Sequence, residues 1–405
     1  MELDHFVRLT SPEAEALLAQ YAGADPNTVA FALQGAPHGL GPLVATQLAL
    51  RRAAAPKLPA FVAAGCLLLR EAVEQATHPA IAELRGFPRG RLAVDLTAGL
   101  GADTLALAAR FDKVIALEPD PVRYHLLRHN LARLGAANVT PVHTTAEAWL
   151  ASPPTPQPEF AFVDPARRTA QRTKTVALAD GAPNLVALLP RLHALGIPTW
   201  AKLSPLFEPR EAHGLPGIAA LRALSLEGEV KELLLELDPG PTAPHLRHQA
   251  QGIWQGQAWS VTGVPTEALP TGAPGSYLLL PDPAIEKLRL TASFAQQYGL
   301  AAPRRFGPTG YLMAEGVPEG HLPARVLALD AVLPYKPKTL PDVLHARGYS
   351  AAVVHTRNVD LTPEALRQRL RITEGTPRGG EPYPRYVLAT AVPPNRWVLL
   401  ARRVR

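Results

Sequence analysis

The chain has 405 residues, 47% hydrophobic and 19% charged, with one cysteine and a formal net charge of +6. That length exceeds one ordinary core and points to two or three domains, and the composition excludes a disordered or collagen-like chain. The single Cys66 excludes an intramolecular disulfide and any multi-cysteine metal site, and no metal site stands out among the 13 dispersed histidines.

The opening MELDHFVRLT lacks a basic patch leading into an apolar run, and no apolar run approaches membrane-spanning length. The expectation is a cytoplasmic enzyme or binding protein. Residues 1–88 read as a helical domain. Ser11 is placed as an N-cap with Pro12 at the first helical position, and FVAAGCLLLREAVEQATHPAIAELRG (61–86) has apolar residues at helix-like spacing until Gly86 and Pro88.

Between 89 and 265 the pattern alternates. RLAVDL, KVIALE, NVTPVHT, EFAFVD and PTWAKLS read as short strands, with ADTLALAARF, the segment opened by Pro121, and PNLVALLPRLHALG as helices. Strand–helix alternation predicts an α/β domain with a parallel sheet covered on both faces. LRALSLEGEVKELLLEL (221–237) reads as a hairpin at that sheet's edge. A Pro/Gly-rich stretch then marks a boundary near 265–275. Beyond it, YLLL, AAVVHT, RYVLAT and RWVLLARR read as strands mixed with helices at DPAIEKLRLTASFAQQY and TPEALRQRLRI, which is α+β. Residues 331–405 hold 13 Lys/Arg against 5 Asp/Glu, whereas the preceding residues sum to −2. A basic tail on a near-neutral body suggests a polyanion partner.

DLTAGLGADT (95–104) follows the first strand and opens the first helix of the alternating region. Gly99 and Gly101 suit a tight turn that brings backbone close to a ligand. The third glycine of a dinucleotide fingerprint is replaced by Thr104, and Asp95 stands at the strand end. A carboxylate there repels a pyrophosphate and attracts the ammonium and sulfonium of S-adenosylmethionine. Glu118, 23 residues after Asp95, is placed to accept both ribose hydroxyls. Thr97 and Asp103 of the same loop join the cofactor set. Ala146 and Glu147 fall where such folds contact adenine, although a helix-starting acid also explains Glu147. Gln75 and Thr77 are placed either near the methionine end of the cofactor or on an ordinary polar helix face.

EQAT, VDLTAGLGADT, LEPD, VDPARR, AKLSP, GEVKELLLEL and YLLLPDPAIEKL together resemble the bacterial class I S-adenosylmethionine-dependent methyltransferases that end in a THUMP-like domain. The resemblance runs from about residue 55 to the C-terminus. It implies a Rossmann-like core over 89–265, a small ferredoxin-like domain over 276–330, a THUMP-like basic domain over 331–405, and RNA as the substrate. FVDPARRT (162–169) then carries the chemistry. Amino-methylating enzymes place Asn/Asp-Pro-Pro-aromatic at such a strand end, whereas Ala166 and Arg167 occupy the last two positions here. Asp164 and Pro165 are the catalytic candidates, with Arg167, Arg168 and Lys202 as substrate-binding candidates. A modified amino-methylating corner, a site for a different acceptor atom, and a salt-bridged structural turn all fit the stretch. Lys202 either binds substrate phosphate or pairs with Asp164. The remaining alternatives are an NAD-dependent oxidoreductase, a catalytically degenerate RNA-binding protein, and a small-molecule or protein methyltransferase.

Overall fold

The computed structural model describes residues 1–152, 155–167, 178–240, 246–265, 269–307, 310–375 and 383–404. They form two compact units, Met1–Leu226 with Val230–Arg247, and Glu227–Glu229 with His248–Arg405. No helix among the described residues is long and apolar enough to cross a membrane.

The first unit opens with short helices whose starts obey local capping chemistry. Ser11 accepts a hydrogen bond from the Ala14 amide at the head of Pro12–Gln20, and Asp25 caps Pro26–Ala32 in the same way. The stretch expected to be helical over 61–86 is broken. Helices cover only Pro59–Ala63, Arg70–Gln75 and Pro79–Arg85, because Gly65 turns the chain at φ 68° and residues 66–69 are not helical. Two buried amides satisfy that non-helical backbone. Asn130 bonds the N–H and C=O of Leu67 (both 3.0 Å), and Gln47 bonds those of Leu68 (both 2.9 Å). Side-chain amides thus replace the helical ladder, and Cys66, Leu67 and Leu68 are buried beside them.

The sheet of this unit contains β1 (Gly90–Asp95), β2 (Phe111–Leu117), β3 (Val139–Val142), β4 (Phe160–Val163), β5 (Thr199–Leu203), β6 (Ile218–Leu226) and β7 (Glu229–Leu237). Their order is β3-β2-β1-β4-β5-β7-β6. β1 pairs in parallel with β2 and β4, β2 with β3, and β4 with β5, while β7 runs antiparallel to β5. Glu227 and Gly228, both at positive φ, turn β6 into β7 as the EGE signal suggested. The order reverses between β1 and β4, so the carboxyl ends of those strands border the crevice where open parallel sheets bind ligands. Phe87, Phe160, Phe162 and Trp200 pack edge-on or stacked at centroid separations of 5.1–5.9 Å and anchor the sheet.

The second unit contains a hairpin, β8 (Arg247–Trp254) and β9 (Gln257–Gly263), that the boundary signals had hidden. Its other sheet is built from β10 (Tyr277–Pro281), β11 (Leu312–Ala314), β12 (Ala324–Pro334), β13 (Ala351–Arg357), β14 (Arg385–Val392) and β15 (Asn395–Arg403). The order is β11-β10-β12-β15-β14-β13, flanked by the two-residue strands Arg304–Arg305 and Thr373–Glu374. Helices Leu340–Ala346 and Pro363–Leu370 close over it through Leu340, Leu344, Leu366 and Leu370. The span expected to form one helix over DPAIEKLRLTASFAQQY is two, Pro283–Lys287 and Thr291–Gln297, separated where Arg289 takes φ 57°.

Candidate active site

The loop after β1 is shaped by its two glycines. Gly101 has φ 94° and a side chain there would meet Leu127 Cδ1 at 3.0 Å, so the loop closes tightly onto the helix Pro121–Arg133. Gly99 has φ 56° and its side-chain direction opens onto unfilled space. Asp95, at the end of β1, is wholly buried. Its Oδ1 accepts the Thr97 amide at 3.0 Å and its Oδ2 accepts the Thr104 hydroxyl at 2.6 Å. Thr104 replaces the third glycine of the dinucleotide pattern, and its hydroxyl clamps the acid. Burial pushes the Asp95 carboxyl up to about 7 against those two hydrogen bonds, and the nearby Asp103 and Asp164 carboxylates add to the rise.

Glu118 follows β2. Its Oε2 accepts the Gly99 amide at 3.0 Å and its Oε1 the Asp120 amide at 2.9 Å, so the carboxylate is fixed against the glycine loop. Burial raises its pKa. Each oxygen retains acceptor capacity for a hydroxyl pair.

Asp164 follows β4, and its amide donates to Thr97 Oγ1 at 2.7 Å, tying the ends of β1 and β4 together. Lys202 on β5 places Nζ 2.7 Å from Asp164 Oδ2 and 3.7 Å from Asp103 Oδ2. Of the two roles open to Lys202, the pairing with Asp164 is realised in the geometry. Burial raises the Asp164 pKa, partly offset by Lys202. Burial also acts to raise Asp103, but Arg85 and Lys202 outweigh it and hold that carboxyl at about 2. Lys202 is driven upward by Asp103 and Asp164 despite its burial.

Two contributors escaped the sequence reading. Arg85, the last residue of Pro79–Arg85, is fully buried and donates to Asp103 Oδ1 (2.6 Å), to both oxygens of Glu232 on β7 (2.9 and 2.8 Å), and to Thr77 Oγ1 (3.3 Å). Its guanidinium also lies 5.2 Å from the centre of the Phe87 ring and 5.0 Å from that of Phe162. An arginine in an otherwise helical run and an acid inside VKELLLEL were the available signals. A continuous chain, Glu232–Arg85–Asp103–Lys202–Asp164, therefore runs behind the loop. With Asp95 it holds four carboxylates against two cations.

The other candidates lie at its margin. Thr77 enters through Arg85, whereas Gln75 and Glu147 are exposed and make no hydrogen bond to this group among the described residues. Ala146 is buried at the start of the helix Ala146–Ala151, which Thr145 caps. Pro165 packs against Gly181, where a Cβ would sit 2.7 Å from the Pro165 ring. Ala166–Arg167 pairs antiparallel with Gly181–Ala182, and Arg168, Arg172 and Lys174 lie outside the described residues.

The donor set fits a cationic, hydroxyl-bearing cofactor: a fixed carboxylate at each of two strand ends, with open space over Gly99. It does not fit a pyrophosphate, which would face that same carboxylate excess. The strand order, the single antiparallel partner of β5 and the acid-flanked glycine turn define the class I methyltransferase fold. Residues 324–403 match the family model described as THUMP domain-like. An uncharacterized S-adenosylmethionine-dependent methyltransferase, found in two strains of Mycobacterium tuberculosis, is 29% identical over 83% of this chain and 90% of its own length. A solved structure from Porphyromonas gingivalis W83, titled as a methyltransferase, superposes with a TM-score of 0.81 at 25% identity and covers 96% of both chains. The protein is an S-adenosylmethionine-dependent methyltransferase with a THUMP-like domain at its C-terminal end.

Proposed function

We propose that the acceptor is a base in RNA, methylated at the crevice above Asp95 and Asp164, with the basic C-terminal region holding the strand. The observation that carries this reading is Asp164 itself. It stands at the end of β4 with a side chain 38% exposed, beside the wholly buried Asp95. When bound, S-adenosylmethionine supplies an electrophilic methyl group on a positively charged sulfur. Asp95, Thr97, Gly99, Gly101, Asp103, Thr104 and Glu118 are assigned to holding it, and Ala146, Glu147, Gln75 and Thr77 to the margins of its site.

Lys202 engages Asp164 Oδ2 and leaves Oδ1 to accept a hydrogen bond from an amine. That bond orients the amine lone pair, and the carboxylate balances the positive charge that develops on nitrogen. Pro165 fixes the turn through its restricted φ. Arg167 and Arg168 are assigned to the incoming strand, where a guanidinium plane stacks on a base or pairs with phosphate. The THUMP domain-like match and the +8 balance of residues 331–405 support RNA, as does the reach of such enzymes to unstacked bases. The four-part division at 1–88, 89–265, 276–330 and 331–405 is part of the same proposal.

The test is transfer of labelled methyl groups into RNA from cells lacking this gene. Asp164→Ala is expected to abolish transfer while leaving S-adenosylmethionine affinity within a few-fold. Full activity in that variant would remove Asp164 from the chemistry.

A further inference from the structure

The second unit carries a concavity of about 320 Å³ lined by Asp330, Arg347, Tyr349, Arg385, Leu400 and Arg402. We infer that it is a phosphate-binding subsite, which takes one phosphate group of a nucleotide between Arg347, Arg385 and Arg402. This location is distinct from the methyl-transfer crevice, and only the source of the phosphate, an RNA strand, rests on the RNA reading above.

Local structure explains how three arginines come together. β12 pairs with β15 in a register that skips Asp330, with Leu329 opposite Ala401 and Ala331 opposite Leu400. A bulge of this kind re-aims the extra side chain, and Asp330 meets Arg402. Arg402 Nε donates to both Asp330 oxygens at 3.0 and 2.9 Å, and its Nη2 lies 2.9 Å from Oδ1. The Tyr349 hydroxyl donates to the other Asp330 oxygen. The one carboxylate of the pocket is thus engaged by two donors and orients Arg402, whose Nη1 has no partner among the described residues.

Arg385, at the start of β14, is fixed from below. Its Nη1 donates to the carbonyls of Arg347 and Gly348 at 3.0 and 3.1 Å, and its guanidinium lies 5.3 Å from the centre of the Tyr349 ring. Gly348 makes this possible, since a Cβ there would stand 2.5 Å from Arg385 Nη1 at a φ of 77°. Arg347 is exposed, and its guanidinium makes no hydrogen bond or ion pair among the described residues. Three guanidinia against one neutralised carboxylate leave a concave site with an excess of two positive charges. Its size suits one nucleotide, and arginine forks match phosphate oxygens in pairs.

Arg347 is the residue to change, because it has no intramolecular partner to lose. Binding of a single-stranded RNA oligonucleotide to the full chain, followed by fluorescence anisotropy across salt concentrations, is expected to weaken several-fold in Arg347→Gln. The slope of log affinity on log salt should fall by about 0.7, the value of one phosphate contact on a single strand. S-adenosylmethionine affinity should be unchanged, which excludes misfolding. A parallel titration uses adenosine monophosphate followed by thermal shift. If RNA does not bind but adenosine monophosphate stabilises the wild type and not Arg347→Gln, the subsite stands with a free nucleotide as its ligand, and the RNA reading fails alone. If neither RNA slope nor nucleotide binding depends on Arg347, the subsite is refuted.

Discussion

Replacing Asp95 by asparagine separates what the carboxylate does for binding from what it does to the fold. Burial raises this group from an ordinary 3.8 to about 7 in the folded chain. The folded state therefore holds a proton more tightly than the unfolded state, and stability falls as pH rises through the window from about 4 to 7. Three units at about 1.4 kcal/mol each set an upper limit of about 4 kcal/mol for ionising Asp95 at pH 8. Asparagine carries no charge there. Its oxygen can keep the Thr97 amide bond, but its NH2 must reverse the Thr104 contact, a loss of about 1–3 kcal/mol. Asp95→Asn should thus gain about 1–3 kcal/mol over the wild type at pH 8 and lose that advantage at pH 5, where Asp95 is already protonated. Urea denaturation at the two pH values measures the difference. The same variant should bind S-adenosylmethionine about 10- to 100-fold more weakly, the worth of a charge-assisted hydrogen bond. A stability difference that does not change between pH 5 and pH 8, together with unaltered binding, would refute the electrostatic account of the site.

Further tests use the same geometry. S-adenosylmethionine affinity of the wild type should rise with pH, by at most about tenfold per unit, until Asp95 is ionised near pH 7 and then level off, as calorimetry in a buffer series would show. Thr104→Val removes the hydroxyl that favours the ionised form and should move that midpoint upward. Arg85→Ala leaves Asp103 and Glu232 without their buried partner and should destabilise the chain by about 3–5 kcal/mol in chemical denaturation. Gly101→Ala, which drives a methyl into Leu127, should cost stability. Gly99→Ala should cost only about 1 kcal/mol of backbone strain yet impede the cofactor, because its methyl enters the open face of the loop.

The parts of this architecture legible in the sequence were those fixed by local chemistry. Proline at the first helical turn, a capping Ser or Asp before it and strand runs ending in an acid located much of the first unit. The replacement of a glycine by Thr104 already pointed away from a dinucleotide, and the structure supplies the reason in its bond to Asp95. What escaped was non-local. Arg85 and Glu232 are separated by 147 positions and meet only when β7 packs against the helix Pro79–Arg85, so no spacing rule pairs them. Residues 66–69 had helical periodicity, but side chains from Gln47 and Asn130 took over their backbone. β12 was hidden because the bulge at Asp330 breaks its alternation. The hairpin of β8 and β9 lay between proline-rich segments that drew attention to a boundary instead.

The claim on which the assignment turns is that the carboxylate-lined crevice selects a sulfonium donor over a phosphate-bridged one. Calorimetric titration of the full chain with S-adenosylmethionine and, separately, with NAD measures it directly. Micromolar binding of the first and no heat from the second is the expected result. Saturable NAD binding that the methyl donor fails to displace would contradict it.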